Sequence, residues 1–196
     1  IRRQRQMCIR DRLALEWLRQ CPYVVCCDGA ANTYIRSGRM PEAIVGDGDS
    51  LLPDIKERYA SLIHSEAEQE TNDLSKAFRF CLSQERKRIT IMGATGKRED
   101  HTIGNVSLLA DYMEQAEVSM MTDYGIFVPI REDSMFESYI GQQISVFNMN
   151  STALSAEGLA YPLSVFTNWW QGTLNEALAR HFIIRTEGKV LVFRVF

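Results

Sequence analysis

Short apolar runs alternate with amphipathic stretches of helical length over the first 125 residues or so. Tyr23–Cys27 (YVVCC), Ala43–Val45, Ile89–Met92 and Glu117–Thr122 read as strands. Between them, Ala30–Ser37 reads as a helix stopped at Gly38, and Pro53 opens a helix running to about Leu62. Thr71 caps a helix over Asn72–Ser83 with Asp73 in its positive first turn. His101–Met113 is a further helix, and Asp11 caps an early one whose apolar positions include Leu13, Leu15, Trp17 and Leu18. This alternation predicts a mostly parallel sheet covered by helices.

After Gly125 the pattern changes to short β-type runs separated by turns. Ile126–Ile130, Gln143–Phe147, His181–Thr186 and Val190–Phe196 are the strands expected, the last two flanking a hairpin turn at Glu187-Gly188-Lys189. A short helix is expected around Asn175–Ala179. The chain is therefore read as an α/β domain over residues 13–125 and a small antiparallel β domain over 126–196. No flexible linker separates them.

Composition narrows the function classes. At 196 residues, 45% hydrophobic and 24% charged, the chain has the balance of a globular protein. A net charge of −3 argues against nucleic-acid binding, and no apolar run is long enough for a membrane-spanning helix. Five cysteines without a C-x-x-C spacing argue against a zinc site or disulfide framework and suit a reducing cytoplasm. Cys26 and Cys27 read as small core residues. His64 and His181 read as structural. Residues 1–12 are arginine-rich, without an initiating Met or the apolar core of a signal peptide. They read as the start of a fragment or as non-native sequence, with a transit peptide as the alternative, and receive no functional weight.

The candidate chemistry is acidic. In Ala43–Leu51 (AIVGDGDSL) two aspartates leave a strand two residues apart. Carboxylates about 5 Å apart repel by about 3 kcal/mol at an effective dielectric near 20. Asp28 follows YVVCC, Asp73 opens one helix and Asp100 another. All five acids fall at strand C-termini or helix N-termini, which share one edge in an open parallel α/β sheet. Converging oxygen ligands call for Mg²⁺, which usually bridges to substrate phosphates. Gly29, Gly46, Gly48, Gly93 and Gly96 let backbone approach a phosphate, and Lys97 and Arg98 can pair with its oxygens. The set reads as metal-assisted phosphoryl transfer from a nucleotide.

Each piece alone has a plainer reading. G-D-G-D is most often a polar turn, and Asp28 or Asp73 alone suits a helix cap. GATGKR is not a P-loop, because Arg98 stands where Ser or Thr would hold the metal; Leu51 and Leu52 break the EF-hand pattern. The weight lies in several acidic segments falling at one edge.

Six pieces in order resemble the thiamine pyrophosphokinase family: VVCCDGAAN (24–32), IVGDGDSL (44–51), EQETNDLSKA (68–77), GATGKREDHTIGN (93–105), EGLAYPL (157–163) and GTLNEAL (172–178). The resemblance covers roughly residues 20–196. It implies an N-terminal α/β domain binding ATP and Mg²⁺, a C-terminal β-sandwich, and a homodimer with thiamine bound where subunits meet. The implied reaction is thiamine plus ATP giving thiamine diphosphate plus AMP, with attack at the β-phosphorus.

By position, Asp47 and Asp49 resemble the family's metal-binding pair and Asp73 its third acid. Asp100 completes the implied catalytic set. Asp28, Gly29, Gln69, Thr71, Asn72, Lys97, Arg98 and His101 fall in the implied nucleotide region. Tyr161, Trp169 and Trp170 are aromatic faces suited to cationic thiamine. Core or dimer-contact packing is an equal reading of each Trp. Asn175 would hydrogen-bond the pyrimidine ring. Two departures stand out. Leu174 occupies a position where the family often has Ser, and residues 1–12 replace the family's first strand, which would leave the sheet short. The rival readings are a binding protein without turnover and a haloacid-dehalogenase-type phosphohydrolase with Asp47 as nucleophile and Asp49 as acid/base.

Overall fold

The computed structural model describes residues 16–65 and 70–196. Asp11, Leu13, Leu15 and Gln69 lie outside the described residues. The chain divides into two compact units between Lys87 and Arg88.

In the first unit, residues 16–20 are helical. Strand β1 (Val25–Cys27), helix α1 (Ala30–Arg36), strand β2 (Ala43–Gly46), helix α2 (Pro53–Arg58), strand β3 (Ile63–Ser65) and helix α3 (Asp73–Ser83) follow. The strands form a parallel sheet in the order β1-β2-β3, with Cys26 opposite Ile44 and Ile44 opposite Ile63. Central β2 is buried along its whole length, as a strand covered on both faces must be. Ala31, Ile44, Leu51 and Ile55 form the core of one face, with Tyr34, Ile35 and Leu62 against it.

Two expectations shift here. The helix opened by Pro53 stops at Arg58; Tyr59 leaves helical geometry (φ −115°, ψ 26°), and a 3₁₀ turn over Ala60–Leu62 leads into β3, too short to be visible as a periodic run. The cap of α3 is Asn72 rather than Thr71: its Oδ1 accepts from Ser75 N at 2.9 Å.

In the second unit, strand β4 (Arg88–Met92), helices α4 (Glu99–Ser107) and α5 (Leu109–Tyr112), and strand β5 (Glu117–Met121) precede seven further strands. These are β6 (Gly125–Ile130), β7 (Ser134–Glu137), β8 (Gln143–Asn148), β9 (Leu154–Glu157), β10 (Asn175–Glu176), β11 (His181–Thr186) and β12 (Val190–Val195). One sheet runs β10-β8-β12-β6-β5-β4, parallel only between β4 and β5; the other runs β7-β11-β9 and is antiparallel. Residues two apart from each sheet interdigitate: Ile144 with Val146 and Val190 with Val192 from the larger, Phe182 with Ile184 from the smaller. Phe136 and Phe182 stack at 5.1 Å. The β-sandwich expectation is met, and the parallel β4–β5 pair extends its larger sheet.

Two sequence expectations fail in this unit. Strands β11 and β12 flank Glu187-Gly188-Lys189 yet do not pair, because each enters a different sheet. Gly188 (φ +129°) packs against the 150–151 backbone, where a methyl group would lie 2.8 Å from Ser151 Cα, and Lys189 N donates to Asn150 Oδ1 at 2.6 Å. The turn is a corner of the sandwich. The helix expected around Asn175–Ala179 is instead strand β10, paired with β8 (Asn175 opposite Ile144). Leu174, at φ +61°, breaks helical geometry just before it, and the helical turn of this segment lies earlier, at Trp169–Gly172. No helix among the described residues is long and apolar enough to cross a membrane.

Candidate active site

The acidic turn after β2 is held by side chains from the end of β1 and from α2. Gly46 takes φ +154°, and a methyl there would sit 2.8 Å from Asp28 Cβ, so the two strand ends approach as closely as glycine allows. Asp47 Oδ1 accepts from Asp49 N at 3.1 Å, folding the pair into a short turn, and both aspartates are exposed. Lys56 Nζ donates to Gly48 O at 3.1 Å from α2. An open depression of about 470 Å³ adjoins the turn, lined by Gly48, Asp49, Leu51, Pro53, Lys56 and Glu57.

Asp28 supports this turn from β1. It is 4% exposed and strained at φ +25°. Its backbone N donates to Val45 O, and its Oδ2 accepts from Ser50 N, both at 2.9 Å. Its Oδ1 is buried with no hydrogen-bond partner among the described residues. Gly29 admits Ser50, whose Cβ would lie 2.9 Å from a methyl at position 29. Thus Asp28, Gly29, Asp47 and Asp49 are brought together.

At the start of α3, Asp73 lies 3.5 Å from the buried Lys76 Nζ. Thr71 Oγ1 accepts from Arg79 Nη2 at 3.1 Å, and Asn72 is the helix cap. Cys26 and Cys27 are free thiols whose pKa is pushed up to about 12, chiefly by burial, so they stay protonated and unreactive near neutrality.

In the second unit, Arg98 grips Asp100 through Nε to Oδ1 at 3.1 Å and Nη2 to Oδ2 at 2.6 Å. His101 contributes its backbone N to Asp100 Oδ1 at 2.9 Å. The Arg98 hydrogen bonds, and then that of His101, hold the Asp100 carboxyl below its usual range. Asn105 Nδ2 donates to Ala94 O at 2.8 Å, tying the 93–98 loop to α4. Lys97 is exposed in that loop.

The residues expected to bind thiamine all lie in this unit. Trp170 (73% exposed) and Trp169 lie on the 3₁₀ turn, with Trp169 edge-on to Phe147 at 5.8 Å, and Leu174 (73%) follows. Tyr161 is joined to Asn175 by two hydrogen bonds, Tyr161 N to Oδ1 at 3.0 Å and Nδ2 to Tyr161 O at 2.8 Å. Asn175 Oδ1 also accepts from Glu176 N at 2.9 Å. Asn175 is 4% exposed, and its amide is held by backbone.

Sequence reasoning missed Asn32, Ser50 and Lys56, whose bonds shape the acidic turn. The only signal was their place in the VVCCDGAAN and IVGDGDSL pieces and one turn into α2.

The donor set fits Mg²⁺. Among the described residues there is no group of three or more His, Cys, Asp or Glu placed to hold a metal by protein ligands alone. Two exposed aspartates on a turn match an ion that keeps water and shares phosphate oxygens. The bare Asp28 Oδ1 is a buried acceptor that the same turn leaves for an incoming cation or donor.

Residues 14–121 match the family model "Thiamin pyrophosphokinase, catalytic domain", and residues 125–193 match "Thiamin pyrophosphokinase, substrate-binding domain". The chain belongs to the thiamin pyrophosphokinase family. Thiamine pyrophosphokinase 1 of Oryza sativa subsp. japonica is 30% identical over 129 residues, covering 53% of this chain and 49% of its own length. The Bacillus subtilis thiamine pyrophosphokinase is 34% identical over 86 residues, 42% of this chain and 40% of its own. The chain thus spans about half the length of the curated relatives it matches. The crystal structure of a Bacillus subtilis thiamine pyrophosphokinase superposes with a TM-score of 0.77 at 21% identity, covering 88% of this chain and 87% of that one. The yeast structure gives 0.74 at 16% identity, covering 94% and 81%. These likenesses show the thiamin pyrophosphokinase fold, and the family match leaves the dehalogenase-type reading of Asp47 and Asp49 without support.

Proposed function

We propose that the chain transfers the diphosphoryl group of ATP to the hydroxyl of thiamine, giving thiamine diphosphate and AMP. The observation that carries this reading is the Asp47-Gly48-Asp49 turn, braced by buried Asp28, in a chain matching the family's catalytic and substrate-binding models in order. The relatives' name supplies the substrates.

Asp47 and Asp49, with Asp73 as a third acid, would hold Mg²⁺. The chemistry such an ion would supply there is neutralisation of phosphate charge. Asp47 and Asp49 fix where the phosphates lie. Lys97 and Arg98 orient phosphate oxygens, and Asp100 keeps the Arg98 guanidinium in one plane through its paired bonds. By their place in the family's motifs, Asp28, Gly29, Gln69, Thr71, Asn72 and His101 would contact ATP. Tyr161, Trp169 and Trp170 offer aromatic faces to the thiamine cation. Asn175 acts on it through Tyr161.

The functional division at about residue 125, a homodimer with thiamine at its interface, and a cytoplasmic location are parts of the same proposal. Exposed Trp170, Tyr161 and Leu174 supply apolar surface for the interface, and the free cysteines suit a reducing compartment.

Incubation with thiamine, ATP and Mg²⁺, followed by chromatography, tests the reading. Thiamine-dependent AMP with equal thiamine diphosphate is expected. ADP with thiamine monophosphate would reassign the phosphorus attacked, and thiamine binding without AMP would leave a binding protein.

A further inference from the structure

We infer that Asn32 is a positioning residue for the Asp47–Asp49 turn. The inference rests on the reading of that turn as a metal–phosphate site. Asn32 lies on α1 and touches the loop twice: its Nδ2 donates to Ser50 O at 2.7 Å, and its Oδ1 accepts from Leu52 N at 3.0 Å. Asp28 Oδ2 takes Ser50 N at 2.9 Å. The peptide groups on both sides of Ser50 are therefore held from the β1–α1 corner. On the far side Lys56 holds Gly48 O.

The aspartates themselves are exposed, and their one mutual bond, Asp47 Oδ1 to Asp49 N, is local. Nothing in such a turn by itself fixes the separation of two mutually repelling carboxylates. The fixed point is the 50–52 backbone, three residues from Asp47 and one from Asp49. Asn32 is matched to this task. A carboxamide presents one donor and one acceptor on a rigid plane, so it can bridge a C=O and an N–H two residues apart. Alanine offers neither, and aspartate turns the donor into an acceptor facing Ser50 O. Outer-shell groups that orient ligands typically cost about 10- to 100-fold in metal affinity when removed.

The test is Mn²⁺ binding, followed by electron paramagnetic resonance, with a non-hydrolysable ATP analogue present. Wild type, Asn32→Ala and Asn32→Asp are compared, with thermal melts as a check on folding. Alanine is a strong helix former, so α1 is retained. The expected result is about a 10-fold or larger loss of Mn²⁺ affinity in Asn32→Ala. Added metal should restore nucleotide binding, and the thiamine KM should stay unchanged. If Asn32→Ala melts early, Asn32→Asp, which keeps the Leu52 acceptor, carries the comparison. Wild-type Mn²⁺ affinity in the folded variants would overturn the inference and leave the metal reading intact. Absence of nucleotide-dependent Mn²⁺ binding in wild type would overturn both.

Discussion

Asp28 and Ser50 stand 22 positions apart and meet at 2.9 Å, the buried carboxylate of one accepting the backbone N–H of the other. This bond joins the end of β1 to the loop after β2, and so fastens the acidic turn to the sheet. Replacing Asp28 with Ala leaves a loop N–H unpaired, a loss of about 1–3 kcal/mol. Urea denaturation should show that loss, and nucleotide binding should fall with it. Asp28→Asn, whose amide oxygen can still accept from Ser50, should retain most of the stability.

Gly46→Ala tests the same junction by crowding. The substitution places a methyl 2.8 Å from Asp28 Cβ at a backbone angle of +154°. A destabilisation of about 1–3 kcal/mol is expected from the strained backbone, with further cost from the contact. Equilibrium unfolding measures it, and an unchanged midpoint would contradict the packing described.

Asp47→Asn and Asp49→Asn remove one charge each from the proposed metal pair. Loss of several kcal/mol of charge stabilisation corresponds to a fall in kcat of about 100-fold or more. Steady-state assays at several Mg²⁺ concentrations check this, and the melting temperature should barely change because both side chains are exposed.

Asp100 titrates below the usual carboxylate range because Arg98 and the His101 N–H favour its charged form. A carboxyl depressed in the folded state contributes stability above its unfolded pKa and loses it as pH falls through the folded value. Arg98→Met should therefore raise the Asp100 pKa, followed by carboxyl NMR. It should also shrink the stability lost in that acid window. Both groups are exposed, so the effect at neutral pH is small.

Asn175→Ala removes the amide that anchors the Tyr161 backbone. The thiamine KM should rise much more than the ATP KM. Equal effects would remove Asn175 from any role in thiamine binding.

Much of the fold was legible because its signals are local. β1, β2, β4 and β5 are apolar runs bounded by turn residues, and α1 ends where Gly38 takes φ +82°. What was not legible depends on distant partners. Whether β11 and β12 pair is decided by Asn150 and Ser151 crowding Gly188, contacts nearly 40 residues away in sequence. Strand β10 is held by β8 and by the Asn175–Tyr161 bonds, so its residues alone favoured a helix. At the site the acids were visible as acids. Asn32 was visible only as a member of the VVCCDGAAN piece, because a carboxamide bridging two backbone groups has no periodicity and no charge.

The central claim is that the chain moves a diphosphoryl group, and ATP labelled at the β-phosphorus tests it most directly. With thiamine and Mg²⁺, the label should pass into thiamine diphosphate while unlabelled AMP accumulates in equal amount. Label retained in ADP, with thiamine monophosphate formed, would contradict the account.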